Sequence, residues 1–145
     1  MRALVQRVSD ARVFSEGVLV GEIGPGLCVL VGVTHLDGPV EAAKLASKIH
    51  GLRILDDDDG VMNRSIADTA GEVLVVSQFT LYGDTRKGRR PSWTEAARPE
   101  HAEPLVEELC DQLRSMGVVV ATGRFGTDMV VDLRNEGPAT LMLEV

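Results

Sequence analysis

The sequence predicts a single α/β domain of the α+β kind over residues 1–145, with a largely antiparallel sheet and two main helices. Three observations carry this expectation. A chain of 145 residues with 44% hydrophobic residues suits one core. Short apolar runs bounded by turn residues fill its first third, and two later stretches switch to helical spacing. Most links between the runs are too short for parallel crossovers, which need a dozen residues or more.

Taken in order, Arg2 to Val8 and Ala11 to Phe14 read as a pair of strands separated at Ser9-Asp10. Val18 to Ile23 and Leu27 to Val33 follow, set apart by Glu16-Gly17 and Gly24-Pro25-Gly26. Asp37 as cap and Pro39 in the first turn then open a helix, with Val40, Ala43, Ala46 and Ile49 at helical spacing up to Gly51. Arg53 to Leu55 and Glu72 to Leu81 read as strands joined through the acidic loop Asp56 to Asp59 and the segment Gly60 to Gly71. The second helix carries the stripe Leu105, Val106, Leu109, Cys110, Leu113 and Met116, and Gly117 ends it. Val118 to Thr122, Thr127 to Arg134 and Thr140 to Val145 complete the strands.

Composition excludes several classes of function. Two cysteines inside apolar runs, Cys28 and Cys110, offer no disulfide framework and read as buried reduced thiols. The N-terminus lacks the pattern of a signal peptide and no run approaches membrane-spanning length, so the expected setting is the cytoplasm, away from membranes. A net charge of -7 argues against a surface that grips nucleic acid throughout, although Arg86, Lys87, Arg89 and Arg90 form a local basic cluster. Asp56 to Asp59 lack the ligand spacing of a calcium loop, and His35, His50 and His101 lack that of a zinc site. Gly21 to Gly26 has the wrong glycine order for a nucleotide loop, and Ser77 lacks the setting of a hydrolase elbow.

Two segments remain. Val75-Val76-Ser77-Gln78-Phe79-Thr80-Leu81 is an apolar strand that ends in a concentration of donors and acceptors, the usual place for binding groups. Asn135-Glu136-Gly137-Pro138-Ala139-Thr140 interrupts two strands with Gly-Pro, which taken alone is an ordinary turn.

Together they resemble the D-aminoacyl-tRNA deacylase family, whose signatures are Ser-Gln-X-X-Leu and Asn-X-Gly-Pro-X-Thr. The likeness extends to Met1 to Val8, Gly60 to Asn63, Lys87 to Ser92, and Thr122 to Gly126 with Met129. Ala139 and Val61 depart from it where Val and Lys are commoner, which bears on pocket shape. The resemblance implies the family's barrel-like sheet, a homodimer with active sites at the subunit interface, and neither metal nor other cofactor. It implies hydrolysis of the ester that joins a D-amino acid, or glycine mischarged on tRNA(Ala), to the acceptor end of tRNA. Ser77, Gln78, Phe79 and Thr80 would be catalytic, with Phe125, Met129, Asn135 and Thr140 binding substrate. Gly137-Pro138 would be cis and reject L-amino acids with main chain, while Arg86, Lys87, Arg89 and Arg90 would meet tRNA phosphates.

The residues themselves bear on mechanism. Thr80 as nucleophile needs an adjacent base, and no His or Lys lies near it in sequence. An activated ester beside a ribose hydroxyl can instead rely on positioning and on backbone N–H groups around Phe79 and Thr80. Rival readings are a non-catalytic RNA-binding module stacking bases on Phe79, Tyr82 and Trp93, a metal-dependent hydrolase built on Asp56 to Asp59, and a purely structural dimer.

Overall fold

Apolar alternation beginning at Arg2 builds one long strand, β1 (Arg2–Ser15), where two were expected. Ser9-Asp10 marks a register irregularity against its neighbour rather than a break in the chain. The computed structural model describes residues 1–86 and 88–145. Along one edge of β1 lie β3 (Gly26–Gly32), opposite its first half, and β2 (Val18–Ile23), opposite its second. Along the other edge runs β8 (Met129–Glu144), paired antiparallel from Arg2↔Glu144 to Ser15↔Met129.

Beyond β3 the sheet continues through β6 (Glu72–Ser77) to β7 (Val120–Thr122), and both of these pairings are parallel. The expectation of an antiparallel sheet therefore holds for β1 with β2, β3 and β8, and changes where a helix intervenes. Helices α1 (Pro39–His50) and α2 (Pro99–Ser115) supply the long crossovers that parallel neighbours require. A small hairpin, β4 (Leu55–Asp56) with β5 (Met62–Arg64), stands apart. Its turn is closed by Asp57, whose Oδ1 accepts from the N–H of Asp59 and of Val61, both at 3.0 Å.

The sheet has two apolar faces. Ala3, Val5, Val29, Val31, Val73 and Val75 pack against Leu45 and Ile49 of α1 and Leu105, Leu109 and Leu113 of α2. Each of these Val, Leu and Ile side chains contributes about 1.5–3 kcal/mol by leaving water. On the opposite face Val8, Ala11, Val13, Cys28, Leu74 and Val76 gather with Val20, Ala121, Met129 and Val131. Contributions from β1, β2, β3, β6, β7 and β8 to one interior show that the sheet curls into the nearly closed barrel expected. Burial pushes both thiols, Cys28 and Cys110, up to about 11, so neither ionises near neutral pH.

Asp37 does not cap α1, as its position suggested. Gly38 stands at the cap, and its N–H is taken by Glu41 Oε2 at 2.9 Å. Asp37 turns inward instead, where its Oδ1 lies 2.6 Å from the buried Met1 ammonium and its Oδ2 accepts from Thr34 N–H. The two strands expected near the C-terminus are one strand, β8, whose pairing passes from Val8↔Asn135 to Gln6↔Thr140. Glu136 to Ala139 thus loop out opposite the single residue Arg7.

Candidate active site

Strand β6 stops at Ser77, four residues short of the expected end at Leu81. Its last ladder bond runs from Gln78 N–H to Val31 carbonyl at 2.7 Å, and Phe79–Tyr82 then wind into a short 3-10 helix. The turn lies on β3 at Gly32, where a methyl group would come within 3.1 Å of Gln78 O, Leu81 Cβ and Tyr82 Cδ2. Arg2 holds it from β1, donating to Leu81 carbonyl at 3.0 Å while its guanidinium sits 4.5 Å above the Tyr82 ring. Desolvation, assisted by the charge of Asp37, pushes the Tyr82 hydroxyl up to about 12, so it stays neutral.

Polar groups in this turn are distributed unevenly. The Gln78 side-chain amide donates to Thr80 Oγ1, so the Thr80 oxygen faces a donor. His35 bonds to Thr94 carbonyl and His101 to Asp37 carbonyl, and among the described residues no base pairs with Thr80. The N–H groups of Phe79 and Thr80, first in the 3-10 helix, have no acceptor within it and none among the described residues. Two neighbouring donors are therefore left for a ligand.

Beside the turn a cavity of about 330 Å³ opens between α2 and the ends of β6 and β7. Ser77, Val106, Cys110, Gly123 and Phe125 line it, and Glu103 and Glu107 stand on its helical wall. The Met129 sulfur occupies the space that a side chain on Gly123 would need. Ser77 and Phe125 are so gathered on the cavity wall, while Met129 packs behind Gly123 with the cluster on the opposite face of the sheet.

The second segment is built differently. Gly137-Pro138 is a cis peptide, and both residues are exposed, while Ala139 is buried. Buried Arg7 anchors the loop-out, donating from Nε to Glu136 carbonyl at 3.2 Å and from Nη2 to Gly137 carbonyl at 3.5 Å. Its Nη1 reaches Ile54 carbonyl at 3.0 Å and Asp56 Oδ1 at 2.7 Å. Asn135 ties the base of the loop, its Nδ2 donating to the carbonyls of Arg7 and Ala139 at 3.1 Å each, and Gln6 Nε2 donates to Thr140 Oγ1 at 3.2 Å.

A family model described as D-Tyr-tRNA(Tyr) deacylase matches residues 4–144. The chain belongs to that deacylase family. A protein of Heliobacterium modesticaldum named D-aminoacyl-tRNA deacylase is 59% identical, over 99% of this chain and 96% of its own. One of Thermobifida fusca with the same name is 58% identical over 100% of both. A solved structure named c-Myc DNA Unwinding Element Binding Protein shares 37% identity and superposes with a TM-score of 0.93, covering 100% of this chain and 99% of its own.

In this deacylase-family chain the two signature segments do not meet. Ser77 pairs with Val31, which pairs with Ala3 and so with Leu143, three strand spacings away on β8. Gly137 lies opposite Arg7, in the row of Leu27 and Val73, a further four residues along the strand. At about 4.8 Å per strand and 3.3 Å per residue the segments are roughly 20 Å apart. Midway between them the sheet presents Leu4 and Leu30, half-buried, and exposed Met142.

The basic cluster is also divided. Arg86 is bound to Asp84 through Nε and Nη2 at 2.9 and 2.8 Å, and the hydrogen bonds from Arg86 hold the Asp84 carboxyl down to about 2. A depressed carboxylate keeps its pairing above the usual carboxylate range and loses it only as pH falls through about 2. Arg89 and Arg90 are exposed and unpaired among the described residues. Lys87 lies outside the described residues.

Arg7 belongs to neither sequence motif, yet it is the residue that fixes the second one. A signal was available, because Arg7 follows Ala3 and Val5 at the inward parity of β1, where a cation needs several partners.

Proposed function

We propose that the protein hydrolyses the ester linking a D-amino acid, or glycine mischarged on tRNA(Ala), to the terminal ribose of tRNA, acting as a cytoplasmic homodimer. The observation that carries this reading is the pair of N–H groups at Phe79 and Thr80, without acceptors among the described residues, in the turn that directly follows the cavity-lining Ser77, next to a threonine hydroxyl with no base among those residues. Such donors stabilise the negative charge that develops on an ester carbonyl oxygen as a nucleophile attacks it. Relatives named D-aminoacyl-tRNA deacylase at 58–59% identity support the substrate class.

The chemistry then rests on positioning. Water attacks the carbonyl carbon, the ribose 2'-hydroxyl of the substrate assists proton transfer, and the carbonyl oxygen charge falls on the Phe79 and Thr80 N–H groups. Collapse breaks the bond to the 3'-oxygen, which leaves with a proton, releasing amino acid and tRNA. Phe125, Met129, Asn135 and Thr140 shape or brace the surroundings, with Ser77 on the cavity wall.

Chirality calls for something stiffer than an apolar pocket, which separates similar substrates by only about 1–3 kcal/mol. In the proposed dimer the exposed Gly137-Pro138 main chain, braced by Arg7, enters the site of the partner subunit and occupies the space of an L side chain. Twofold docking on the face of Leu4, Leu30 and Met142 lies midway between the separated segments and exchanges them symmetrically. Glycine, with no side chain to reject, passes the filter.

Among the described residues of the basic cluster, Arg89 and Arg90 are the cations free to meet phosphates, since Arg86 is held by Asp84. Replacing both by Glu should raise KM several-fold and flatten its dependence on salt, measured between low and physiological ionic strength. An unchanged KM would return them to solvent.

Release of amino acid from D-aminoacyl- and glycyl-tRNA(Ala) by the purified protein, with and without chelator, tests the whole reading. Binding of tRNA with the ester left intact would favour a nucleic-acid-binding module, the activity that the name of the 37% identical structure describes for that protein.

A further inference from the structure

The reaction outlined above leaves unused the chain's single tryptophan, Trp93. Its indole is 42% exposed and meets Phe79, itself 56% exposed, edge to face, with ring centroids 5.5 Å apart and planes at 74°. Such an arrangement satisfies one edge of the pair and leaves aromatic surface in water.

The indole is held from both sides rather than carried on a free loop. Before it, Asp84 and Ser92 exchange backbone hydrogen bonds of 2.8 and 2.9 Å. After it, Thr94 carbonyl bonds His35, Glu95 carbonyl accepts from Thr34 Oγ1 at 2.6 Å, and Ala97 N–H donates to Val33 carbonyl at 2.9 Å. Gly83 closes the contact, because a methyl there would lie 2.6 Å from Trp93 Cζ3. The ring thus rests on the main chain where the Phe79–Tyr82 turn ends, one residue before Asp84 and close in sequence to exposed Arg89 and Arg90.

A fixed aromatic surface with cations a few residues away in sequence matches what holds single-stranded nucleic acid, since every base has a face to stack and every linkage a phosphate. We propose that Phe79 and Trp93 form a stacking platform for an unpaired base of the acceptor tail, upstream of the nucleotide that bears the ester. This rests on the proposed deacylation and names how the same site grips its substrate. Phe79 thereby couples the two tasks, with its ring on the platform and its N–H in the catalytic turn.

With one tryptophan, the fluorescence of the whole protein reports this position. An RNA minihelix ending in an unpaired CCA tail should quench it in a saturable way, and the same helix with a blunt end should not. Trp93→Leu should raise KM for D-aminoacyl-tRNA about tenfold, with kcat far less affected, and Trp93→Phe should restore KM. Gly83→Ala, which displaces the indole without removing it, should weaken the quenching and raise KM in the same direction, so the test survives if Trp93→Leu folds poorly. Absence of quenching by the tailed RNA, or an unaltered KM in both the Leu and Ala variants, would overturn the platform. Fluorescence that changes on dilution of the protein and not on addition of RNA would overturn it as well, by assigning Trp93 to contact between copies. Failure of the deacylation reading has a separate signature, the absence of D-amino acid release by the unaltered protein whatever its fluorescence does.

Discussion

A D-aminoacyl-tRNA whose terminal ribose carries hydrogen in place of the 2'-hydroxyl should be turned over at least about a hundredfold more slowly, the range expected when a positioned proton-transfer group is lost. Thr80→Ala, in contrast, should retain activity within about tenfold, the effect of losing one ordinary hydrogen bond. The asymmetry follows from the turn itself. Thr80 Oγ1 receives a hydrogen bond from the Gln78 amide, which cannot take a proton from it, and the two histidines with assigned partners bond to backbone carbonyls elsewhere. In the proposed mechanism the protein supplies the pair of N–H groups at Phe79 and Thr80, which survive replacement of Thr80 by Ala. Single-turnover rates on the paired substrates measure the effect. A dead Thr80→Ala enzyme with full turnover of the deoxy substrate would make Thr80 the nucleophile.

The second large effect belongs to Gly137. A methyl group added there would meet within its own chain only Asn135 Oδ1, at 3.9 Å, an ordinary contact. Gly137→Ala should therefore leave the melting temperature unchanged. In the proposed dimer the same methyl projects into the partner's site, where displacement of substrate by about 1 Å costs on the order of a hundredfold in rate. Loss of D-aminoacyl-tRNA hydrolysis without loss of stability is the expected outcome, read from kinetics and thermal unfolding of one preparation. An unaltered rate would remove this segment from any active site, and a parallel loss of stability would make its role structural.

These expectations depend on features that the sequence reveals to different degrees. The stripe Leu105, Leu109 and Leu113 on α2 is legible because helical period and burial coincide there. β6 extends on paper to Leu81 because Phe79 and Leu81 prolong its apolar pattern, whereas the last ladder bond is made at Gln78 and the chain turns against Gly32. Local patterning carries no information about a neighbouring strand's glycine. Parallel pairing of β3 with β6 and of β6 with β7 depends on where two helices return the chain, again a property of the whole.

At the cavity, Ser77 and Phe125 share one wall, whereas Met129 lies behind Gly123 with the opposite cluster, a separation of faces that sequence order does not reveal. Gly137-Pro138 is recognisable as an interruption of strand pattern, but its anchorage by Arg7 arises from a residue about 130 positions away. Charge counting likewise treats Arg86 as equal to Arg89 and Arg90, until Asp84 is seen to hold it. A pairing two residues apart in sequence is invisible without the turn that brings its atoms into line.

The central claim, that an exposed stretch of main chain filters chirality in a tRNA-ester hydrolase, is tested most directly by one ratio. Tyrosyl-tRNA charged with the D and the L amino acid, otherwise identical, should be given to the purified protein under single-turnover conditions. Rapid release from the D ester with the L ester left at its spontaneous rate is the predicted result, and equal rates on the two would contradict it.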